Sequence, residues 1–448
     1  VPDNSHGSEN VPVGTIRRVV GLFIKIYSVI CCLILAVGLI FATNIQVYGR
    51  SLTTDETETL RTLVFLMTLN TAIFLPFSVF SSIVLAYERY VFNKLIGMLS
   101  SIVSPLINLL LLYCGFGSIG LVISATLLNF STYGIYTVYA IRILHIRPSF
   151  QKTNTGLLRE ILRYSGFVFL ASIVDVLFWS TDKLIIGWAI GSVATAVYNI
   201  GASFNTYITS LSTAISGLLI PRLTEMVVKG APKENFSEIF IKVGRLQFII
   251  ISFIVSAFVA FGRQFIALWA GPGYEDSYVV ALLTMLPVTV PLIQNTGLNI
   301  LYALNRHKFR SIVYLFIAIL NVGLTFWWVE DYGIIGAATA TCLAYVIGNI
   351  LIINLYYYKC IGLDIPLFWK NIIQMSPVMV LMGTVWWLIL NSISINNWQT
   401  FFLLAIIYTA LYFPLSFRFM MNQYERDVIM TPIKLIINKL HLSKLRGE

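Results

Sequence analysis

The sequence predicts an all-α polytopic membrane protein, and three observations carry that prediction. Of the 448 residues, 58% are hydrophobic and only 11% charged, with a mean hydropathy of +0.82; soluble domains average about a quarter charged residues. A water-soluble fold is therefore excluded. The apolar residues gather in twelve runs, each long enough for the roughly 20-residue helix that crosses a bilayer. The runs are continuous and rich in Leu and Ile, which excludes the closed β-barrel, the other structure that satisfies every backbone group in lipid.

In chain order the predicted spans are residues 19–41, 62–87, 91–114, 116–141, 164–190, 194–221, 244–270, 277–304, 309–329, 332–358, 367–391 and 398–417. Lys25 lies a few residues inside the first and is expected to snorkel to the nearby surface. Pro76 in the second and Pro105 in the third predict kinks. Gly115, Gly117 and Gly120 spell G-x-G-x-x-G, but they join two membrane helices instead of a strand and a helix, so they mark a hairpin turn and no nucleotide site. The eighth span carries Pro287 and Pro291 with Gln294, Asn295 and Asn299 one turn below, a predicted hinge. The loop GPGYEDS from Gly271 is an outward turn. After Thr431 and Pro432, residues Ile429, Ile433, Ile436, Ile437 and Leu440 share a face, which predicts an amphipathic helix lying on the membrane surface.

Charge gives orientation. The net charge is +10, and 25 of the 30 Lys and Arg fall on the side of the membrane that holds the chain's N-terminus. This bias places both ends of the chain in the cytoplasm of a bacterial inner membrane and accounts for the basic balance without nucleic acid as a partner; basic residues of the tail are expected to meet anionic lipid. The cysteines Cys31, Cys32, Cys114, Cys342 and Cys360 show no C-x-x-C spacing, and the four His are scattered, so no disulfide framework or metal site is expected. There is no P-loop and no paired-carboxylate or Ser/His/Asp arrangement, and the expectation is a transporter, not an enzyme, with no cofactor.

The chain repeats itself. SIVLAYERYVFNKL from Ser82 aligns with NILYALNRHKFRSI from Asn299 at an offset of 217, pairing Ile83, Ala86, Arg89 and Phe92 with Ile300, Ala303, Arg306 and Phe309; FGSIG from Phe116 meets YGIIG from Tyr332 at an offset of 216. Two like-oriented bundles related by an axis along the membrane normal are implied. The predicted division is an N-terminal bundle over 1–158 with four spans, a C-terminal bundle over 159–362 with six, an extra helix pair over 363–417 and a cytoplasmic tail over 418–448. The second bundle's six spans against four in the first lead to the expectation that two helices precede Val1, for fourteen in all.

The stretch TDKLIIGWAIGSVATAVYNIG (Thr181 to Gly201), then LLIPRLTEM (Leu218 to Met226), and LAYERYVFNKLIGMLSSIVSPLINLLLLYCGFGSIGL from Leu85, resemble the polysaccharide biosynthesis transporters, the O-antigen flippase (Wzx-like) family of the multidrug/oligosaccharidyl-lipid/polysaccharide exporter superfamily. The resemblance implies two six-helix bundles around a central cavity with two extra C-terminal helices. It also implies export of undecaprenyl-pyrophosphate-linked glycan repeat units by alternating access, in company with a glycan polymerase or glycosyltransferases of the same pathway. A multidrug antiporter of the same superfamily, and a membrane-embedded glycan polymerase or acyltransferase, are the alternative functions.

The residues that carry such transport are sought where polarity is most expensive. In the fifth span Ser172, Asp175, Trp179, Asp182 and Lys183 fall within roughly a 100° arc, and each charge at that depth costs about 2.5–3.5 kcal/mol. Lys183 is either a ligand for pyrophosphate or an acidic sugar, or half of an interhelical salt bridge; Asp175 and Asp182 are either cation or proton sites coupling H⁺ or Na⁺, or partners in such bridges. In the sixth span Asn199, Ser203, Thr206, Ser210, Thr213 and Gly217 form a narrow polar stripe, either close-packing glue between helices or a hydrated wall for sugar hydroxyls. Gln294 and Asn295 complete the candidate substrate path.

Overall fold

The computed structural model describes residues 13–48, 53–151, 180–217, 220–304, 308–393, 397–428 and 430–431, together with isolated residues between 152 and 179 and residues 306 and 395. The described residues are helical with short connections and contain no strand. Among the described residues eight helices are long and apolar enough to cross a membrane, or nine if the bent pair Thr54–Phe74 and Ser78–Ala86 counts as one span. The chain divides into two compact units, Val1–Phe169 and Leu170–Glu448. Asp175, Trp179 and the surface helix expected from Pro432 onward lie outside the described residues.

Unit 1 contains α1 (Val13–Thr43), α2 (Thr54–Phe74), α3 (Ser78–Ala86), α4 (Tyr90–Tyr113) and α5 (Gly117–Arg142). The predicted second span is two helices, α2 and α3, meeting at 44°. Pro76 stands at the break, where its missing N–H and its ring are incompatible with a continuing helix. A capping box at Thr53 and Glu56 starts α2. Its polar residues find partners on α5: Asn70 Nδ2 donates to Thr126 Oγ1 at 2.6 Å and Asn129 Nδ2 to Asn70 Oδ1 at 2.9 Å. Lys25 does not extend freely; its ammonium donates to the Phe150 carbonyl at 2.8 Å and sits 5.6 Å from that ring. That contact is possible because the 145–150 segment lies against α1, with Ser149 N donating to Arg17 O. A Cβ on Gly21 would fall 2.1 Å from Ser149 O, so only glycine fits there.

Unit 2 contains the helical residues 180–189, then α6 (Ser192–Gly217), α7 (Ile220–Val228), α8 (Lys233–Ala270), α9 (Asp276–Ile293), α10 (Asn295–Ala303), α11 (Lys308–Tyr345), a π-helical and α-helical continuation through Ile361, α12 (Ile365–Asn391) and α13 (Trp398–Leu415). A continuous helix of the 54 residues from Lys308 to Ile361 would run about 80 Å, far beyond a bilayer. Gly333, with φ 60° and ψ −144°, breaks it into the two predicted spans. Phe240, Phe248, Ile251, Met285, Ile293 and Phe368 form the main core. The outer pair α12 and α13 seals onto α8 through stacked rings and two hydroxyl contacts, Ser252 with Tyr412 and Ser256 with Tyr408. The GPGYEDS turn uses Gly271 and Gly273 at positive φ, and hydrogen bonds from the backbone amides of Glu275 itself and of Gly273 hold the Glu275 carboxyl below the usual carboxylate range.

The duplication in sequence is a duplication in structure. Shifted by 217, α3 superposes in numbering on α10, both nine residues long and both directly after a break. The turn that follows closes the same way in each: Arg89 N donates to Val84 O, and Arg306 N to Leu301 O. At an offset of 216, Gly117 with φ 54° pairs with Gly333 with φ 60°. Both hairpins turn on a left-handed glycine where an L side chain would be strained.

Candidate functional site

Unit 2 buries a carboxylate at Asp182, 4% exposed. Residues 180–189 are held down by their apolar neighbours, with Ile186 packing against Tyr198, Val280, Val329, Ala337 and Ala338, and Trp188 stacked on Phe326. That packing fixes Asp182 on the inward face. Four neutral donors from three further stretches converge on its carboxylate. Tyr198 Oη donates to Oδ2 at 2.8 Å and Thr341 Oγ1 to Oδ2 at 2.7 Å; Asn321 Nδ2 and Thr325 Oγ1 donate to Oδ1 at 3.0 Å each. Among the described residues no Lys, Arg or His pairs with it.

A buried carboxylate with neutral donors on both oxygens is satisfied in hydrogen bonding yet uncompensated in charge. Bonds to a charged group contribute about 1.5–3 kcal/mol each, but burying a lone ion costs several kcal/mol. The oxygens gathered here could face a small cation: two from Asp182, Oδ1 of Asn321, which also lies 3.2 Å from Thr341 Oγ1, and three hydroxyls able to rotate and present lone pairs in place of hydrogens. Sequence reading singled out Asp182 but missed Tyr198, Asn321, Thr325 and Thr341. Asn321 and Thr325 carried a usable signal, two polar residues four apart in an otherwise apolar span; Thr341, in a run of Ala, carried none.

The α6 stripe takes up a face about 100° around the helix from Tyr198. Asn199, Thr206, Ser210, Thr213 and Gly217 are exposed and Ser203 half-buried, with no atom within 4 Å of where a Cβ on Gly217 would lie. Ser203, Ser210 and Thr213 bond back to their own helix. Among the described residues these three hydroxyls make no hydrogen bond to another helix of unit 2. A second polar row, unnoticed in the sequence, does: Ser212 Oγ donates to Leu292 O at 2.8 Å, Gln247 Nε2 to Ser212 O at 3.1 Å and Asn299 Nδ2 to Ser216 O at 2.9 Å.

Lys183, next to Asp182, is half-buried and belongs to none of the ion pairs among the described residues. Gln294 and Asn295 lie inside unit 2, 2% and 9% exposed. The Gln294 amide exchanges hydrogen bonds with Asn354, whose oxygen also accepts from Trp369, so this pair ties the helix break to α12 and is not on the open face of the stripe. Pro287 and Pro291 precede that break, at which α9 ends and α10 begins. In unit 1 a groove of about 550 Å³ is lined by Asn93, Lys94, Ser101 and Tyr136, with the Tyr136 hydroxyl donating to Asn93; none of these was singled out in the sequence.

No curated protein matches the chain in sequence. Among solved structures it is similar to the lipid II flippase MurJ in an inward closed conformation, with a TM-score of 0.74 at 15% identity over 94% of this chain and 86% of that one. It is also similar to a mutant form of the Vibrio cholerae MATE transporter VcmN, with a TM-score of 0.50 at 15% identity over 79% and 81% of the two chains. At such identities the likeness is one of fold, an all-helical arrangement shared by a flippase and an exporter. The family described as polysaccharide biosynthesis protein matches residues 24–279, more than half of the chain. With its apolar helices and this fold, the chain is a multi-pass membrane protein that belongs to the polysaccharide biosynthesis protein family.

Proposed function

We propose that this protein is a flippase that carries polyprenyl-pyrophosphate-linked oligosaccharide repeat units across the bacterial cytoplasmic membrane by alternating access, coupled to a cation, H⁺ or Na⁺, that enters at Asp182. Family membership and the fold of a lipid II flippase support the substrate class. The observation that carries the coupling is that one helix holds both features: α6 presents the hydroxyl stripe on one face and Tyr198, a ligand of the Asp182 carboxylate, on the face beside it, next in sequence to Asn199.

When Asp182 is charged, its four donors draw residues 180–189, α6 and both halves of α11 together. Neutralising the carboxylate removes the charge from those hydrogen bonds, which are roughly twice as strong as neutral ones, and loosens the hold on α6. The stripe offers donors and acceptors to sugar hydroxyls, and Lys183 supplies a positive charge for the pyrophosphate. The break between α9 and α10, after Pro287 and Pro291, serves as the hinge. The lipid tail stays in the bilayer.

The test is transport of a labelled lipid-linked glycan by proteoliposomes under an imposed H⁺ or Na⁺ gradient, beside complementation of a flippase-null strain. Asp182→Asn, which keeps the size and part of the hydrogen bonding, is expected to abolish gradient dependence; Lys183→Ala is expected to weaken glycan affinity while leaving gradient dependence intact. Normal transport by both variants sinks the proposal. Export of small organic cations without glycan movement makes the protein a drug antiporter instead.

A further inference from the structure

At the end of unit 2 where basic residues gather, a pocket of about 160 Å³ lies between the start of α8, the end of α10 and the turn after Ile361. That is roughly ten times the space one water needs. Lys233 and Arg306 line it together with an apolar floor that includes Phe236, Ile300, Leu304 and Leu363. Arg306 is tied to the backbone around it, and the Lys233 stem lies against the turn at Gly362. Arg306 Nη1 donates to Cys360 O at 3.0 Å, and the Tyr356 hydroxyl donates to Arg306 O at 3.4 Å. Gly362 sits at φ 82°, and a Cβ there would come within 3.1 Å of Lys233 Cδ, so the bare glycine is what lets the lysine stem lie across the turn. Among the described residues neither cation forms an ion pair with a carboxylate.

Two positive charges without a carboxylate partner among the described residues, set over an apolar floor at the ends of membrane helices, match an anion that is itself amphipathic. We propose that this pocket holds the headgroup of an anionic phospholipid: Lys233 and Arg306 bind the phosphate, and the apolar floor takes the glycerol and the first methylenes of the acyl chains. A free inorganic anion would leave the floor unused, and a zwitterionic lipid would bring its own cation to the two already present. The bound lipid would tie the connection between α10 and α11 to the start of α8. This assignment rests on membrane placement and stands apart from the transport reading.

Native mass spectrometry of the full chain, released from detergent with equal amounts of phosphatidylglycerol and phosphatidylcholine, reads the site directly. The wild type is expected to retain one more phosphatidylglycerol than the Lys233→Gln/Arg306→Gln double variant and to show a several-fold preference over phosphatidylcholine. Lys233→Arg keeps the extra lipid, and Gly362→Ala loses it in part by displacing the lysine stem. The single variants Lys233→Gln and Arg306→Gln are each expected to lose part of it as well, so the test survives a double variant that fails to fold. Excess inorganic phosphate leaves the lipid in place. Equal phosphatidylglycerol retention by wild type and both single variants, no lipid preference in the wild type, or displacement by inorganic phosphate overturns the proposal.

Discussion

Unit 1 and unit 2 share the same bend and the same glycine hairpin, yet they cover their helices very differently. In unit 1 the most apolar stretches of α1 and α4 are each 6% buried and that of α5 11%, whereas those of α8 and α9 in unit 2 are 61% and 56% buried. Apolar side chains gain little by exchanging acyl chains for protein, so hydrophobicity does not set this difference. Polar side chains do. Unit 2 carries Asp182, Arg245, Gln247, Asn321, Thr325 and Asn354 in buried positions, and every one needs partners that lipid does not supply. Unit 1 has fewer to satisfy, chiefly Asn70 with Thr126 and Asn129, and packs more openly. The polar inventory of a bundle decides how tightly it closes.

That view is broken or sharpened by variants chosen from both sides of the divide. The largest effect is expected from Arg245→Ala. Arg245 makes a two-pronged ion pair with Glu425, donates to Asn371 Oδ1 at 3.0 Å and to Met420 O at 3.1 Å, and its side chain is 9% exposed. Removing it strands the buried Glu425, at a cost of about 3–5 kcal/mol, measured by thermal unfolding in detergent. Lys242→Ala, three residues away and paired in the open with Glu238, is expected to cost at most ~1 kcal/mol. Equal losses would show that burial of the charge is not what matters.

A middle effect separates the units directly. A Cβ on Gly244 would meet Phe368 Cε2 at 2.5 Å and Ile293 O at 2.8 Å, while one on Gly134 in unit 1 meets nothing within 4 Å. Gly244→Ala is expected to destabilise by about 1–3 kcal/mol, and Gly134→Ala to stabilise by roughly 0.5–1 kcal/mol through helix propensity. The same sign for both would contradict the difference in packing. The smallest effect on stability belongs to Thr206→Ala, Ser210→Ala and Thr213→Ala combined, each within ~0.5 kcal/mol because the side chains are exposed. The same triple variant is expected to slow glycan transport; unchanged transport would remove the stripe from the substrate path.

Much of this was legible in the sequence because membrane helices obey few rules. The Arg89 and Arg306 alignment found the repeat, and with it the positions of α3 and α10 and the paired glycines Gly117 and Gly333. The stripe on α6 was readable from its spacing, as was the cost of Asp182. Spacing alone did not say which way the stripe faced, because glue and open wall demand the same small polar residues; that Ser212 and Ser216 make the hydrogen bonds to neighbouring helices needed three dimensions. The ligands of Asp182 stayed hidden for a related reason. Tyr198, Asn321 and Thr341 approach from 16, 139 and 159 residues away, distances at which no local pattern operates. Gln294 and Asn295 stand out in the sequence as polar residues within a span, but the partner that Gln294 meets, Asn354, is 60 residues away and beyond any local pattern.

The pair of Arg245 and Glu425 has a consequence in time. The two residues are 180 positions apart, and a chain grows at about 5–20 residues per second. Arg245 is therefore made on the order of ten to thirty seconds before its carboxylate exists. Until α12, α13 and the turn at Asn422 have followed it out of the ribosome, the basic end of α8 has an unmatched charge that keeps it in water. The last helices of the chain do more than extend the bundle: their arrival lets the first helices they touch settle.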